Sequence, residues 1–255
     1  MQKSALAQAI YSANQAGRKA LIPFLPAGCP DKERFWKELL ELDQNSADII
    51  EIGIPFSDPV ADGPTIEQAS HQCLLQGVGL KWIVQTLKEK RAEFKAQIVL
   101  MGYCNPFQQY GWEKLANDAA QAKVSGIIVP DLPYEESKDI ELILKDRGIE
   151  LIPLVGLNTS KERMQKYALR SSGFVYFVSV MGTTGGNVMS AEILKQKLAL
   201  AREIFTQPIA LGFGLSSLEQ LRDIEDYVDA VVFGSALIRH IWEGKSSASF
   251  MQRWI

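Results

Sequence analysis

The sequence predicts an α/β protein that folds as a single (β/α)8 TIM barrel, with residues 1–255 in one domain and an extra N-terminal helix. Eight short apolar runs alternate with longer amphipathic stretches. Most of these runs are continuously apolar, as expected for parallel strands covered on both faces. The length of 255 residues and a hydrophobic content of 47% suit one such barrel. An open, doubly wound sheet is the alternative, but successive βα units favour closure.

The predicted elements follow one another without a long linker. Strands are predicted at 21–27, 48–54, 97–103, 126–132, 149–155, 174–180, 208–214 and 229–235. Helices are predicted at 2–15, 32–43, 81–94, 113–123, 135–147, 160–170, 190–204, 217–226 and 236–243. Because active sites in such barrels lie at the C-terminal ends of the strands, the residues that follow each strand are the functional candidates.

Composition narrows the classes of function. The net charge is −3 and basic residues form no stripe, which disfavours a nucleic-acid partner. An odd number of cysteines (Cys29, Cys73 and Cys104) without a CxxC pair indicates a reduced cytoplasm. No signal-peptide core or 18-residue apolar run is present, so we expect no membrane span. His71 and His240 lack partners at ligand spacing, so we expect no metal site.

Three glycine-rich turns follow the last three predicted strands, at 182–187, 212–217 and 234–236. Such turns expose backbone N–H groups, and the helix that follows adds partial positive charge. Each glycine alone is more simply an ordinary turn residue, but three successive turns favour a phosphate ligand. The predicted donors are the backbone N–H groups of Gly185, Gly214 and Gly234, with the hydroxyl of Ser235.

Four carboxylates lie within residues 51–68. Glu51 is inside an apolar strand, where burial raises a carboxyl pKa and suits a general acid or base; the alternative is a structural glutamate paired with a lysine or arginine. Asp62 is either the cap of a helix that begins near Pro64 or a second catalytic carboxylate. Asp58 most simply forms a turn, and Glu67 favours the first helical turn.

Three further polar side chains fall near predicted strand ends. Tyr103 ends the third strand and is the better site candidate of the two tyrosines. Tyr176 lies within the sixth strand, where packing in a barrel layer explains it at least as well. Asp131 ends the fourth strand and is either a third acid at the same face or a turn residue.

Five segments together resemble the tryptophan synthase alpha subunit. They are 51-EIGIPFSDPVADGPTIEQAS-70, 103-YCNP-106, 128-IVPDLPYEE-136, 212-GFGLSS-217 and 234-GSA-236. The resemblance runs in order over nearly the whole chain, and the first segment is its most specific part. It implies a lyase that cleaves indole-3-glycerol phosphate in a retro-aldol reaction, giving indole and glyceraldehyde 3-phosphate.

The resemblance also implies roles for individual residues. Glu51 would protonate the indole ring carbon that bears the side chain, and is a candidate for deprotonating the glycerol hydroxyl. Asp62 would contact the indole N–H and stabilise positive charge, and Thr184 would contact Asp62 when the loop closes. The implied indole pocket comprises Phe24, Tyr103 and Ile128, with Tyr176 near the substrate. The implied phosphate cradle comprises Gly185, Phe213, Gly214, Gly234 and Ser235.

By the same resemblance, the chain pairs with a pyridoxal-phosphate-dependent beta subunit in an alpha2-beta2 heterotetramer that makes L-tryptophan. Pyridoxal phosphate is expected only in that partner, and no cofactor is expected in this subunit. The segments implied to face the partner are 55–64, 104–107 and 131–136. Within them, an interface role is implied for the carboxylate of Asp58 and for the apolar surfaces of Phe107, Pro133 and Tyr134.

One departure from the family pattern lies in the loop after the sixth strand. The family usually reads Arg-x-Gly-Val-Thr-Gly there, whereas this chain has 180-VMGTTG-185. Val180 therefore replaces the arginine, and the arginine's part in loop closure cannot be carried over. Two alternatives to the lyase remain open: another phosphate-binding barrel enzyme, such as a phosphosugar isomerase, and a non-catalytic regulator of a beta subunit.

Overall fold

The computed structural model describes residues 4–179, 191–212 and 221–254, which contain parallel strands surrounded by helices. The strands are β1 (Ala20–Pro26), β2 (Ile49–Gly53), β3 (Gln97–Met101), β4 (Gly126–Ile128), β5 (Glu150–Leu151), β6 (Leu154–Gly156), β7 (Val175–Val178), β8 (Ile209–Gly212) and β9 (Ala230–Phe233). The helices are α1 (Ala5–Gln15), α2 (Lys32–Gln44), α3 (Pro64–Leu75), α4 (Leu80–Lys90), α5 (Cys104–Tyr110), α6 (Trp112–Gln121), α7 (Lys138–Lys145), α8 (Lys161–Arg170), α9 (Ala191–Ile204), α10 (Ser235–Trp242) and α11 (Ser247–Met251).

The sheet curls so that its two edge strands come from one continuous segment. The strand order is β5-β4-β3-β2-β1-β9-β8-β7-β6, and all pairs are parallel. Between β5 and β6 lies Pro153, which has no N–H to donate to a ladder. The backbone on either side still bonds in both directions: Ile152 N–H donates to the Ile127 carbonyl, and Tyr176 N–H donates to the Pro153 carbonyl, each at 3.0 Å. The predicted barrel is confirmed, with its fifth strand in two parts.

Alternation along the strands divides the apolar residues into two cores. On β2, Ile50 and Ile52 pack outward beneath the helices, whereas Ile49 belongs to the cluster inside the barrel. Successive side chains on a strand point to opposite faces, so Glu51 faces inward like Ile49. The strand thus delivers a carboxyl group to the barrel interior.

Helix α1 closes the N-terminal end of the barrel. The Ser4 hydroxyl caps it by accepting the Ala7 N–H at 3.1 Å. Leu6 and Ile10 are almost completely buried and join the interior cluster that also contains residues of the strands. The predicted extra helix is confirmed, and it removes the lower end of the barrel from contact with water.

Two aspartates stabilise the same lower end. Asp48 accepts the Leu21 N–H at 2.9 Å and both guanidinium nitrogens of Arg18, at 2.7 and 2.8 Å. Asp229 likewise accepts the Ile209 N–H at 2.7 Å and a guanidinium N–H of Arg202. Each aspartate therefore connects the start of its own strand to the neighbouring strand. The candidate functional residues lie at the opposite end of the barrel.

Several element boundaries differ from the predictions. The helix predicted at 81–94 ends at Lys90 and continues as a 3-10 turn over Arg91–Glu93. The strand predicted at 126–132 ends at Ile128, ahead of Pro130. Helices α5 and α11 were not predicted, and the helix predicted at 217–226 lies partly outside the described residues. Within the described part of the chain, no helix is long and apolar enough to cross a membrane.

Candidate active site

Glu51 is a completely buried carboxyl group without a partner. Its exposed fraction is 0%, and neither of its oxygens has a hydrogen-bond partner among the described residues. No lysine or arginine of the described chain pairs with it, so the structural ion pair considered above is not formed there. Burial, together with the charge of Asp62, raises the pKa of Glu51 to about 8. At neutral pH this group is a protonated acid.

Asp62 lies in the turn between β2 and α3, close to Glu51. The cap position of α3 belongs to Gly63, and no side chain makes a capping hydrogen bond there. The structure therefore decides against the cap interpretation of Asp62. Burial raises the pKa of Asp62 to about 6, a shift opposed by a hydrogen bond from Tyr103 and increased by Glu67. Glu67 is exposed in the first turn of α3, as predicted.

The two carboxyl groups therefore differ in protonation near neutral pH. With a pKa of about 8, Glu51 carries a proton that it can donate. With a pKa of about 6, Asp62 is mostly ionised and can stabilise positive charge. Neighbouring carboxyl groups in different surroundings are the usual way for a protein to combine an acid with an anion at one pH.

Phe24 lies across β1 between two glycines on neighbouring segments. A Cβ atom at Gly53 would lie 2.6 Å from the Phe24 Cζ, and one at Gly234 would lie 2.7 Å from its Cδ1. Any side chain at either position would displace the ring. This function of Gly53 was not predicted from the sequence, although a glycine at the inward-facing end of an apolar strand was the available signal.

Tyr176 occupies a similar position on the opposite side of the barrel. It is buried, and a Cβ at Gly212 would overlap its ring. Burial, followed by the charges of Glu51 and Asp62, raises its pKa well above the ordinary value. This tyrosine is therefore near both carboxyl groups. Ile128, at the end of β4, is fully buried in the same interior cluster and supplies an apolar wall.

Tyr103 connects the end of β3 to the turn that carries Asp62. Its hydroxyl accepts the Ala61 N–H at 3.0 Å, and its ring lies 5.3 Å from the ring of Phe56, measured between centroids. The neighbouring Asp131 accepts the Cys104 N–H at 2.8 Å and so stabilises the N-terminus of α5. This structural role of Asp131 is neither of the two interpretations left open by the sequence, a third acid and a turn residue.

The expected phosphate site is only partly within the described residues. Gly234 precedes α10 and Ser235 is its first residue, so the unpaired N–H groups of that helix N-terminus lie at the C-terminal end of the barrel. The remaining predicted phosphate-site and loop residues lie outside the described residues and stay predictions; they are Thr184, Gly185, Phe213 and Gly214. Val180, which replaces the family's arginine, also lies outside the described residues.

The expected partner-facing segments divide into exposed and buried side chains. Asp58 and Pro133 are exposed, and Val60 at the apex of the β2–α3 loop has 83% of its surface in solvent. Phe107 and Tyr134 are buried within the subunit, at 0% and 6% exposure. The expectation that these two side chains contact a partner directly is therefore wrong in this conformation.

Comparison with known proteins identifies relatives over the full barrel. The family model described as "Tryptophan synthase alpha chain" matches residues 10–253. A protein of that name from Solidesulfovibrio magneticus is 58% identical over 254 residues, covering 100% of this chain and 99% of the relative. One from Synechococcus elongatus is 40% identical over 241 residues, covering 94% and 91%. A crystal structure of tryptophan synthase from M. tuberculosis superposes with a TM-score of 0.89 at 29% identity, covering 99% of this chain and 98% of that one.

Replacement of Gly53 tests the packing of Phe24. Gly53→Ala places a methyl group against the ring, so we expect a loss of about 1–3 kcal/mol in the free energy of unfolding. In a Phe24→Ala background the same change should cost under about 1 kcal/mol, because the obstructing ring is gone. Gly79→Ala is the control, since nothing lies within 4 Å of a Cβ there. Equal costs of Gly53→Ala in both backgrounds contradict the packing.

The raised pKa of Glu51 predicts how stability depends on pH. Between its ordinary value of 4.5 and about 8, the folded protein keeps a proton that the unfolded chain releases. Stability is therefore lost as pH rises through this window. Glu51→Gln removes that loss, and its advantage over the parent should grow by roughly 3–5 kcal/mol from pH 4 to pH 8. Urea denaturation at several pH values measures it, and parallel curves for the two proteins would falsify the assignment.

Proposed function

The chain belongs to the tryptophan synthase alpha chain family, whose members are lyases that cleave indole-3-glycerol phosphate, and we propose that Glu51 and Asp62 perform this cleavage here. The observation that carries the proposal is the completely buried carboxyl group of Glu51, without a hydrogen-bond partner among the described residues, close to the Asp62 carboxyl group at the mouth of the barrel. A fixed proton donor beside a fixed anion is what protonation of an electron-rich ring requires.

The reaction begins with transfer of the Glu51 proton to the indole carbon that bears the glycerol phosphate chain. The ring nitrogen then carries positive charge, which the Asp62 carboxylate stabilises at the N–H. Glu51, now ionised, removes the proton of the adjacent glycerol hydroxyl. The oxygen forms a carbonyl, the carbon–carbon bond breaks, and its electron pair restores the indole ring. Glu51 ends protonated, so the cycle balances without another reactant.

The surroundings of Glu51 support both of its roles. A buried, apolar position keeps the acid protonated before the reaction and makes the carboxylate a strong base after it. Holding donor and ring together also replaces an encounter in solution with a step inside one complex. Phe24, Ile128 and Tyr176 provide flat or apolar surfaces for the indole, and the N-terminus of α10 lies where the phosphate would bind.

The partner proposed for this chain is a tryptophan synthase beta subunit, in an alpha2-beta2 complex that converts the indole to L-tryptophan. The exposed apex of the β2–α3 loop, with Asp58 and Val60, suits such a contact because it continues directly into Asp62. Pyridoxal phosphate belongs to the beta subunit in this proposal, and the proton transfers above require no cofactor in this chain. Its three free cysteines agree with a cytoplasmic location.

Indole release from indole-3-glycerol phosphate, with and without a beta subunit, tests the proposal. We expect Glu51→Gln and Asp62→Asn to lower kcat by about 10²–10⁴-fold, because each removes a group that acts in the transition state. Both variants should still bind the beta subunit. Glu89→Gln is the matched control, since that carboxylate is exposed on α4 and acts on neither Glu51 nor Asp62, so it should change kcat by less than about twofold.

Two outcomes contradict different parts of the proposal. Absence of turnover by the parent, even with the beta subunit, rejects the lyase activity itself. Turnover by Glu51→Gln near the parent rate rejects only the assignment of the acid. Binding and stimulation of the beta subunit without any cleavage support the alternative of a non-catalytic regulator.

A further inference from the structure

The loop between β2 and α3 is attached to the barrel at Tyr103. This side chain follows β3 and is 4% exposed. It contacts the loop at both ends, with its ring against Phe56 and its hydroxyl accepting the Ala61 N–H at 3.0 Å. The residue after Ala61 is Asp62, so one side chain contacts the loop directly beside the proposed catalytic carboxylate.

The other hydrogen bonds that this loop makes with described residues are local. Val60 N–H donates to the Asp58 carbonyl, Asp62 N–H donates to the Pro59 carbonyl, and Ser57 donates to the Asp58 side chain. Such bonds shape the turn without fixing it relative to the barrel. Among the hydrogen bonds that residues 57–63 make to described residues, the one from Ala61 to Tyr103 reaches a distant part of the chain, across 42 positions.

We propose that Tyr103 is the positioning residue for Asp62: its ring and hydroxyl hold the β2–α3 loop, and its O–H donates to the Asp62 carboxylate so that this group faces Glu51. The inference rests on the proposed roles of Glu51 and Asp62. It assigns to the hydroxyl of Tyr103 a function beyond forming a wall of the indole pocket.

The hydrogen-bonding capacity of a phenol makes the arrangement directional. A tyrosine hydroxyl has one proton to donate and lone pairs to accept with. Because the Ala61 N–H occupies an acceptor position, the proton is free to point to the carboxylate of the next residue, Asp62, whose charge acts on this hydroxyl. Burial, followed by the charge of Asp62, raises the pKa of Tyr103, so the donor keeps its proton at neutral pH.

The titratable groups near Asp62 come from several elements. Glu51 lies on β2, Glu67 on α3 and Tyr176 on β7, and none of these groups favours the ionised form of Asp62. Tyr103 opposes them, because its hydrogen bond lowers the pKa of Asp62. Removing this one hydroxyl should therefore leave Asp62 both less fixed and harder to ionise.

Tyr103→Phe keeps the ring and removes the hydroxyl. The matched control is Tyr110→Phe, which removes a tyrosine–aspartate hydrogen bond of 2.6 Å to Asp118, away from the proposed site. We expect Tyr103→Phe to lower kcat roughly tenfold, the effect of losing one hydrogen bond in the transition state, with KM within about threefold. The acid limb of the kcat/KM profile should move to higher pH, whereas Tyr110→Phe should stay within about twofold of the parent.

Carbon-13 NMR titration of the Asp62 carboxyl, assigned with Asp62→Asn, provides a measurement that does not depend on turnover. In Tyr103→Phe the pKa of Asp62 should rise above the parent value of about 6. In Tyr110→Phe it should stay at the parent value. An unmoved Asp62 pKa, or equal effects of the two variants, overturns the proposal. If the parent does not cleave substrate, the proposed function fails, while the titration still tests the contact.

Phe56→Leu tests the anchoring of the loop separately from the hydroxyl. It removes the ring contact at the start of the loop and leaves the Tyr103 hydroxyl in place. We expect a smaller fall in kcat, about twofold to fivefold, without the pH shift, because only the fixation of Asp62 is weakened. No fall in kcat shows that the ring contact does not position Asp62, and overturns the anchoring half of the proposal.

Discussion

The desolvation of Glu51 is the constraint on which the rest of the site depends. A carboxyl group inside the barrel, without a hydrogen-bond partner among the described residues, is stable there only while it is neutral. Ionising it in place costs several kcal/mol, because no lysine or arginine within residues 4–179, 191–212 and 221–254 pairs with it to compensate the charge. Burial without hydrogen-bond partners therefore keeps Glu51 protonated at neutral pH. The same burial makes the folded protein less stable as pH rises.

The architecture keeps that environment in place from both ends. Helix α1 covers the lower opening, and the aspartates at the starts of β2 and β9 fix the strands there. At the upper opening, Phe24 lies against Gly53 and Gly234, and Tyr176 lies against Gly212. The absence of side chains at Gly53, Gly212 and Gly234 thus leaves the space that the two rings occupy. A side chain at any of these three glycines would overlap one of the rings.

Much of this could be predicted from local patterns. Continuous apolar runs predicted the parallel barrel, and a carboxylate among isoleucines predicted a perturbed acid at Glu51. The roles of Asp58 and Asp62 could not be distinguished in this way, because both residues lie in proline-containing turns. The resemblance of residues 51–70 distinguished them. The N-terminus of α3, where no side chain makes a capping hydrogen bond, agrees with a role for Asp62 other than capping. The resemblance also supplied the substrate, which no pattern of residue types indicates.

The remainder depends on tertiary contacts that a sequence does not display. The position of Gly53 against Phe24 requires the register between β1 and β2. The burial of Phe107 and Tyr134 depends on how α5 and the turn after β4 pack against neighbouring helices, so side chains that seemed suited to a partner belong to the core. The anchoring of Asp62 by Tyr103 joins positions 41 residues apart, beyond the reach of helix or strand periodicity.

Infrared difference spectroscopy of the Glu51 carboxyl tests the central claim most directly. A protonated carboxyl group has a C=O stretching band that a carboxylate lacks, and Glu51→Gln identifies the band that belongs to this residue. The account predicts that the band is present at pH 7 and disappears as pH rises through about 8. Its absence at pH 7, with a carboxylate band that Glu51→Gln removes, would show that Glu51 is ionised and would contradict the account.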